Sequence, residues 1–412
     1  MANNNIILSI SMMTNGRNPE ELSRCIESLS HLRKTVPSEL IIVDTGCNSE
    51  THQYIKSKAD RVVTFTWCDD FAAARNAGLA LATGSWFMFL DDDEYFDETS
   101  EIESFFSSND YKNYEAAQYI IRSYFDIEGK TWSDDSLTRL IRRSKDLHFH
   151  GRIHEYLLPA ASSSREKCLK TFAHHYGYAN SNSSKKALRN IPLLHEMIAE
   201  EKDNIRWPQQ LLQEYLSIKE YERAADLCRT TLESFYDYAI SIHSIDYGSF
   251  PVGLLLSDWL SDDIESLISD YQWLAQTIPD YLKMANSNEV TPVHFVIAKI
   301  YVFLSRTYRL KALYDDSLKF AGSYLLLKSK LFDSPLNNNY KSLYGCYLTA
   351  DAFDLPCCNN IYCDLIIAAL HHKDISTATL YLKMLHFDES DLYLSDPSFL
   401  EEVQSLKERL LV

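Results

Sequence analysis

Short apolar runs alternate with amphipathic segments through the amino-terminal part of the chain. The apolar runs have the length of buried strands, and they are Ile6–Ser11, Leu40–Val43, Arg61–Thr66, Trp86–Leu90, Ala116–Phe125 and Leu137–Arg142. Between them, apolar residues at helical spacing predict helices that begin near Pro19, Asn48 and Phe71. This alternation predicts an α/β fold, a mostly parallel sheet with helices on both of its faces.

The pattern changes at the polar stretch Ala179–Lys186. Beyond it the apolar positions follow helical spacing, and Trp207–Leu232 and Tyr362–Leu385 resemble helix-turn-helix pairs of the tetratricopeptide type. The spacing between these pairs is too irregular for a regular array. The sequence therefore predicts two domains, an α/β domain at residues 1–186 and an all-α, tetratricopeptide-like domain at residues 187–412.

Length and composition narrow the class of protein. The 412 residues favour two domains, and 46% hydrophobic with 24% charged residues is typical of a globular chain. No apolar run approaches the ~20 residues that span a bilayer. A net charge of −18 argues against a nucleic-acid partner. Nine scattered cysteines without a C-x-x-C pair, and no signal-peptide pattern at the amino terminus, predict reduced thiols and a cytoplasmic location.

A cluster of acidic residues directly follows the most apolar strand. Trp86–Leu90 runs into Asp91-Asp92-Asp93-Glu94, so like charges meet at one edge of the sheet. Carboxylates this close repel one another unless water or a cation neutralises them. A divalent cation that bridges to a diphosphate would do so, because Mn²⁺ and Mg²⁺ prefer oxygen ligands. The alternative is an acidic surface loop in an acidic protein.

A single arginine stands out in the helix that precedes this strand. Arg75 lies a short way into the helix that begins at Phe71, with small residues on either side of it. A guanidinium near a helix N-terminus suits a phosphate group. The alternative is an ion pair with Asp69 or Asp70.

Three motifs together resemble the nucleotide-sugar domain of the family 2 glycosyltransferases, which has the GT-A fold. They are Ile41-Ile-Val-Asp44, Asp70-Phe-x-x-x-Arg75-Asn76 and Phe89-Leu-Asp91-Asp92-Asp93-Glu94. The resemblance covers roughly residues 6–178. It looks closest to a subgroup with a carboxy-terminal tetratricopeptide-like extension, which includes the peptide S-glycosyltransferases of glycocin biosynthesis. Later motifs of the subgroup also occur, at Thr138–Arg142, His148–Glu155 and His174–Tyr178.

The resemblance implies roles on the donor side. Asp44 would accept hydrogen bonds from the uracil or ribose of a UDP-sugar, and Ser11 and Met13 would flank the base. Arg75 would contact the diphosphate, and Asp91 and Asp92 would also belong to the donor-binding site.

The resemblance also implies a metal site and a base. Asp91, Asp93 and His175 would hold Mn²⁺ or Mg²⁺, and Glu155 would be the general base of an inverting transfer. The alternatives are that His175 is simply packed and hydrogen-bonded, and that Glu155 forms a salt bridge. Its partner would then be Arg139, Arg142 or Arg152.

The sequence thus predicts a metal-dependent, inverting glycosyltransferase that moves a sugar from a UDP-sugar to a peptide, protein or glycan acceptor. The helical domain would bind the acceptor or form a homodimer, and an amphipathic face suits such a contact. That face consists of Leu400, Val403, Leu406 and Leu410. Two alternatives are a helical-repeat adaptor with a degenerate transferase domain and a glycosyltransferase of cell-surface polysaccharides.

Overall fold

A computed structural model describes residues 6–160, 165–177, 183–242, 246–287, 290–332 and 352–385, together with residues 405 and 408. The chain divides into two units, Met1–Met197 and Ile198–Val412. The predicted boundary at residue 186 stays a prediction. Tyr178 and the first half of the polar stretch, residues 179–182, lie outside the described residues, as does the predicted amphipathic face from Leu400 to Leu410.

The first unit is built on one large sheet and a small two-stranded sheet. Its strands are β1 (Leu8–Thr14), β2 (Ser38–Asp44), β3 (Arg61–Thr64), β4 (Trp86–Phe89), β5 (Glu94–Phe96), β6 (Ala116–Tyr124), β7 (Trp132–Arg142), β8 (His148–His150), β9 (Tyr156–Leu158) and β10 (Glu166–His175). Its helices are α1 (Pro19–Ser28), α2 (Ser30–Thr35), α3 (Ser49–Lys58), α4 (Phe71–Leu81) and α5 (Ser100–Ser107), and α6 (Ser183–Glu200) begins in it.

The large sheet has the strand order β3-β2-β1-β4-β7-β6-β10-β5. Strands β1 to β4 are parallel to one another, whereas β7 is antiparallel to both of its neighbours. The predicted, mostly parallel sheet is therefore confirmed. Because β2, β1 and β4 are adjacent and parallel, their carboxyl ends meet at one edge of the sheet, where ligands of such sheets bind.

Side-chain caps fix two of the predicted helices. The Asn48 carboxamide accepts a hydrogen bond from the Thr51 N–H at 2.8 Å, and Asp70 does the same for Ala73 at 2.8 Å. Each cap satisfies one of the backbone donors that a helix leaves unpaired at its start. Helices α3 and α4 therefore begin where the sequence predicts.

The described residues of the second unit form helices and turns, as predicted. Its helices are α7 (Arg206–Ser217), α8 (Tyr221–Ser234), α9 (Tyr236–Ile242), α10 (Ser249–Leu260), α11 (Ile264–Thr277), α12 (Pro279–Lys283), α13 (Val293–Leu310), α14 (Tyr314–Phe332), α15 (Leu355–His371) and α16 (Ile375–Leu382). Within the described ranges, none of the helices is both long and apolar enough to cross a membrane.

One turn recurs between the helices of this unit. The pairs α7–α8, α10–α11, α13–α14 and α15–α16 each have a left-handed residue two positions before the second helix. These residues are Lys219, Asp262, Ala312 and Lys373, with φ between 57° and 64°. The sequence predicts two such pairs, and the described part of the chain contains four. Four hairpins with the same turn are typical of a stacked helical array.

Close packing of β1 against the entry to β4 requires a glycine. A Cβ built on Gly84 would lie 2.7 Å from the backbone nitrogen of Ser9 and 2.9 Å from the carbonyl carbon of Leu8. The Gly84 N–H also donates to the Ser9 hydroxyl at 2.9 Å, and that hydroxyl donates to Glu39 at 2.7 Å. A side chain here would press on strand backbone rather than on a flexible group.

We expect Gly84→Ala to destabilise the protein by ~1–3 kcal/mol, because overpacking against a fixed backbone has costs of that order. The measurement is the urea midpoint of unfolding. Ser85→Ala is the control, since Ser85 is exposed and its loss should change the free energy of unfolding by less than ~0.5 kcal/mol. Equal midpoints for the two variants would contradict the packing argument.

Candidate active site

The predicted donor-side acids meet at the carboxyl edge of the sheet. Asp44 ends β2, and Asp91 follows β4 after Leu90. The strand between them, β1, ends at Thr14, which is paired with Asp44 in the register of the sheet. A hydrogen bond from Thr14 reaches Asp92. Residues 47 positions apart in sequence thus share one edge because of the strand order.

Asp44 is held as an anion by a turn of its own backbone. One carboxylate oxygen accepts hydrogen bonds from the N–H groups of Gly46 at 3.0 Å and Cys47 at 2.8 Å. The other oxygen lies 2.5 Å from Nδ1 of His52. Burial acts to raise the pKa of Asp44, but these hydrogen bonds outweigh it and lower the pKa. His52 was not predicted, because nothing in the sequence relates it to the end of β2.

Arg75 joins two of the predicted site residues. It is buried on α4, and its Nη2 donates to Asp91 Oδ1 at 2.5 Å while its Nε donates to Glu155. Burial opposes the charge on Arg75, but the two carboxylates raise its pKa. Neither alternative from the sequence holds, since Asp69 accepts from the indole of Trp67 and Asp70 caps α4.

A second arginine reaches the same acids by way of a β-bulge. The pairing of β6 with β7 shifts by one residue at Arg139, which is left without a partner in the ladder. Bulges redirect side chains in this way. The Nη2 of Arg139 donates to Glu94 at 2.7 Å and lies 3.5 Å from Asp91. The sequence gives Arg139 only as a salt-bridge alternative for Glu155, and the structure pairs Glu155 with Arg75 instead.

One phenylalanine ring separates the two guanidinium groups from the core. Phe89 is the last residue of β4, and the guanidinium carbons of Arg75 and Arg139 lie 5.2 Å and 4.8 Å from its ring centre. Cations are attracted to an aromatic face at this distance. The two arginines also lower the pKa of Asp91, although burial acts in the opposite direction. Asp91 is therefore ionised and bound on both of its oxygens.

His175 and Asp93 lie next to each other at the end of β10. The His175 Nε2 is 3.5 Å from Asp93 Oδ2, and its Nδ1 is 3.2 Å from the Ser123 hydroxyl. Burial acts to lower the pKa of His175, but Asp93 raises it. A Cβ on Gly177 would lie 2.3 Å from His175 Nε2 and 3.0 Å from Asp93 Oδ2, so a larger residue there would press on this pair. The neighbouring His174 instead lies 2.9 Å from Asp97.

These residues fit a divalent cation in part. A carboxylate and an imidazole are ordinary ligands for Mn²⁺, and Asp93 and His175 offer one of each. The third predicted ligand, Asp91, is engaged by Arg75 and Arg139. Among the residues that the structure describes, no group of three His, Cys, Asp or Glu side chains is arranged to hold a metal ion.

Asp92, the second of the four consecutive acids, has a different environment. Burial raises the pKa of Asp92 to about 6, and its acidic neighbours add to that effect while the hydrogen bond from Thr14 opposes it. Burial also raises the pKa of Glu94, against the charge of Arg139. Asp91 is thus the acid of this cluster whose charge the two arginines stabilise.

Two predicted residues lie away from the acids. Ser11 is buried on the face of β1 that α4 covers, and a Cβ on Gly78 would lie 2.4 Å from its hydroxyl oxygen. Met13 is half-buried on β1, opposite Val43 of β2. The structure thus places Met13 nearer the carboxyl edge and Ser11 beneath a helix.

The loop that carries Glu155 is tied to α4. The Asn76 side chain donates to the Phe149 carbonyl at 2.9 Å and accepts from the Phe149 N–H at 2.8 Å. The Phe71 N–H donates to the Arg152 carbonyl at 2.9 Å. Helix α4 therefore holds both Arg75 and the loop whose carboxylate Arg75 binds.

Comparisons with known proteins show which proteins this chain is similar to. Residues 9–167 match the family model described as Glycosyl transferase family 2. The chain is 24% identical over 241 residues to the SPbeta prophage-derived glycosyltransferase SunS of Bacillus subtilis (strain 168), a match that covers 55% of this chain and 54% of the relative. Glycosyltransferase SunS of Bacillus phage SPbeta gives the same values. The chain thus spans about half the length of these curated relatives.

A shorter match and two solved structures complete the comparison. The chain is 40% identical over 75 residues to the TPR repeat-containing protein Synpcc7942_0270 of Synechococcus elongatus, which covers 18% of each chain. Crystal structures of S. aureus TarS, and of TarS 1–349 in complex with UDP, each have 12% identity and a TM-score of 0.35. The match to TarS covers 65% of this chain and 54% of the TarS chain. The match to TarS 1–349 covers 67% of this chain and 92% of that chain. The family model and the curated relatives confirm the resemblance to the family 2 glycosyltransferases, and the family model places it at residues 9–167.

Proposed function

We propose that the protein is a metal-dependent glycosyltransferase that moves a sugar, with inversion, from a UDP-sugar to a peptide, protein or glycan acceptor. The observation that carries this proposal is the position of Arg75. Its guanidinium binds Asp91, which belongs to the predicted donor side, and Glu155, the predicted base. A donor-side acid and an acceptor-side base that share one cation are within reach of a single reacting centre.

On the donor side, Asp44 would accept hydrogen bonds from the uracil or ribose, since it is buried and ionised at the end of β2. Met13 lies on the adjacent strand and would contact the base. Asp93 and His175 would hold Mn²⁺ or Mg²⁺, and the cation would neutralise the departing diphosphate. Arg75 carries the positive charge nearest to Asp91 and would bind a diphosphate oxygen.

On the acceptor side, Glu155 would take the proton from the attacking hydroxyl or thiol. Attack on the anomeric carbon from the face opposite the diphosphate inverts its configuration. The Arg75 ion pair and the ties between α4 and the Glu155 loop support this role, because they fix the carboxylate before the substrates bind. A base that is positioned in advance typically contributes ~10²–10⁴ in rate.

The helical unit would bind the acceptor or a second copy of the chain in the cytoplasm. Several large apolar side chains are exposed in its described part, and contact with a partner would remove them from water. They are Leu260, Leu310, Leu313, Leu326, Ile375 and Leu380. We expect light scattering over a dilution series to give the mass of a dimer, and a monomer at every concentration would contradict this.

We expect Asp93→Ala to lose Mn²⁺-dependent binding of UDP while it keeps the fold, because the site lies at a strand end outside the core. Calorimetry with UDP, with and without Mn²⁺, measures this. Asp97→Ala is the matched control, since it removes an equal charge that pairs with His174 rather than His175. If Asp93→Ala binds UDP and Mn²⁺ as tightly as the parent protein, the metal assignment is wrong.

We expect Glu155→Gln to lower the rate of sugar transfer by ~10²–10⁴ and to change donor affinity little, because the amide keeps the shape and loses the basicity. Single-turnover transfer to the acceptor measures the first effect, and UDP calorimetry measures the second. Glu196→Gln is the control, because Glu196 pairs with Arg152 of the same loop and is exposed. Parental turnover in Glu155→Gln would rule out the base.

A further inference from the structure

Among the described residues, one edge of β7 has no neighbouring strand beyond the point where β4 ends. Strand β4 pairs with β7 only through Met88, opposite Leu140, and then turns away at the acidic residues. Strand β7 continues past that point to Trp132 and is paired there with β6 alone. In the part of the chain that the structure describes, no strand covers the other edge of residues 132–138.

The backbone groups on this edge can be assigned by alternation. The Phe125 N–H donates to the Thr131 carbonyl at the end of the β6–β7 hairpin. Bonded and non-bonded pairs alternate along an antiparallel ladder, so Ser133, Asp135 and Leu137 direct their backbone groups toward β6. The N–H and C=O groups of Trp132, Asp134 and Ser136 therefore point outward from the open edge.

The side chains along this edge are exposed. Trp132 and Leu137 are 48% and 42% accessible, and Phe125 at the end of the hairpin is 54% accessible. Asp134 pairs with Arg122 through two hydrogen bonds, and Asp135 is exposed. Apolar surface with an acidic residue favours a partner that has apolar and basic side chains.

We propose that the open edge of β7 binds an extended segment of the acceptor polypeptide as an added strand. A row of outward N–H and C=O groups is complementary to another polypeptide backbone, which a glycan cannot reproduce. The added strand would occupy the position in the sheet directly beyond the carboxyl end of β4. It would thus lead to Asp91, and through Arg75 to Glu155. The proposal rests on the proposed function and names its acceptor class.

The first test is hydrogen exchange on the parent protein, with and without a pool of synthetic decapeptides that carry one Cys, Ser or Thr between random flanks. Strand addition is expected to slow exchange at the amides of Trp132, Asp134 and Ser136. The amides of Ser133, Asp135 and Leu137 already bond to β6 and should change little. Protection without this alternation, or no protection at all, would overturn the proposal. The test needs no donor, so it does not depend on catalysis.

The second test is Ser136→Pro, with Ser136→Ala as its control. Proline lacks an N–H and is tolerated at an open edge, so the β6 ladder should survive while the ring obstructs an added strand. Transfer from UDP-sugars to the peptide pool should fall about tenfold or more in Ser136→Pro only, as expected for a lost backbone bond and a steric clash.

Donor hydrolysis and UDP binding by the same variants separate the two proposals. If both variants transfer sugar to peptides equally well, or if the parent glycosylates oligosaccharides and no peptide, strand addition is wrong and the transferase proposal stands. If the parent neither binds UDP nor hydrolyses any UDP-sugar, the proposed function itself fails. Retained UDP binding in Ser136→Pro shows that the variant has folded.

Discussion

The ion pairs of Arg75 are the constraint on which the first unit's site depends. A guanidinium taken out of water must be balanced by carboxylates, and here Asp91 and Glu155 supply that balance from two distant parts of the chain. Removing one partner of such a buried pair typically costs ~3–5 kcal/mol, because the other charge is left uncompensated. The Arg75 ion pairs therefore fix the distance between the loop that carries Glu155 and the turn after β4, in addition to packing.

Both the sheet and α4 supply residues that surround and balance the Arg75 charge. Helix α4 supplies Arg75 and, through Asn76, the backbone bonds that secure the Glu155 loop. Strand β4 supplies Asp91 and the Phe89 ring beneath both guanidinium groups. Arg139 then takes up the second oxygen of Asp91 and the carboxylate of Glu94. Two arginines thus hold three acids by ion pairs.

Much of this was accessible from the sequence, and the exceptions have physical causes. An apolar strand that ends in four acids can be predicted from the sequence, because burial and charge change abruptly between Leu90 and Asp91. The role of Arg139 cannot be predicted in this way, because a bulge does not alter the hydrophobic pattern of the strand. His52 meets Asp44 only through the packing of α3. Strand β7 was predicted too short, since its outer half lies at an open edge and carries polar residues.

The helical unit also contains elements that the sequence does not predict. Small and aromatic residues predict two of its hairpins, whereas the described residues contain four. Their shared left-handed turn residues are Lys219, Asp262, Ala312 and Lys373, so the glycine that usually signals such a turn is missing. Tertiary packing of the helices, rather than local preference, sets the conformation there.

The bulge at Arg139 has a consequence for how this domain tolerates insertions and deletions. Ala117 pairs with Leu140 and Gln118 pairs with Thr138, so β7 has one residue more than β6 at this point. A bulge takes up such an extra residue and leaves the pairs on either side of it in register. Deletion of Arg139 would therefore make the ladder regular and leave the pairs from Thr138 to Trp132 unchanged. The guanidinium beside Asp91 and Glu94 can thus be lost without any change in the strand pairing around it.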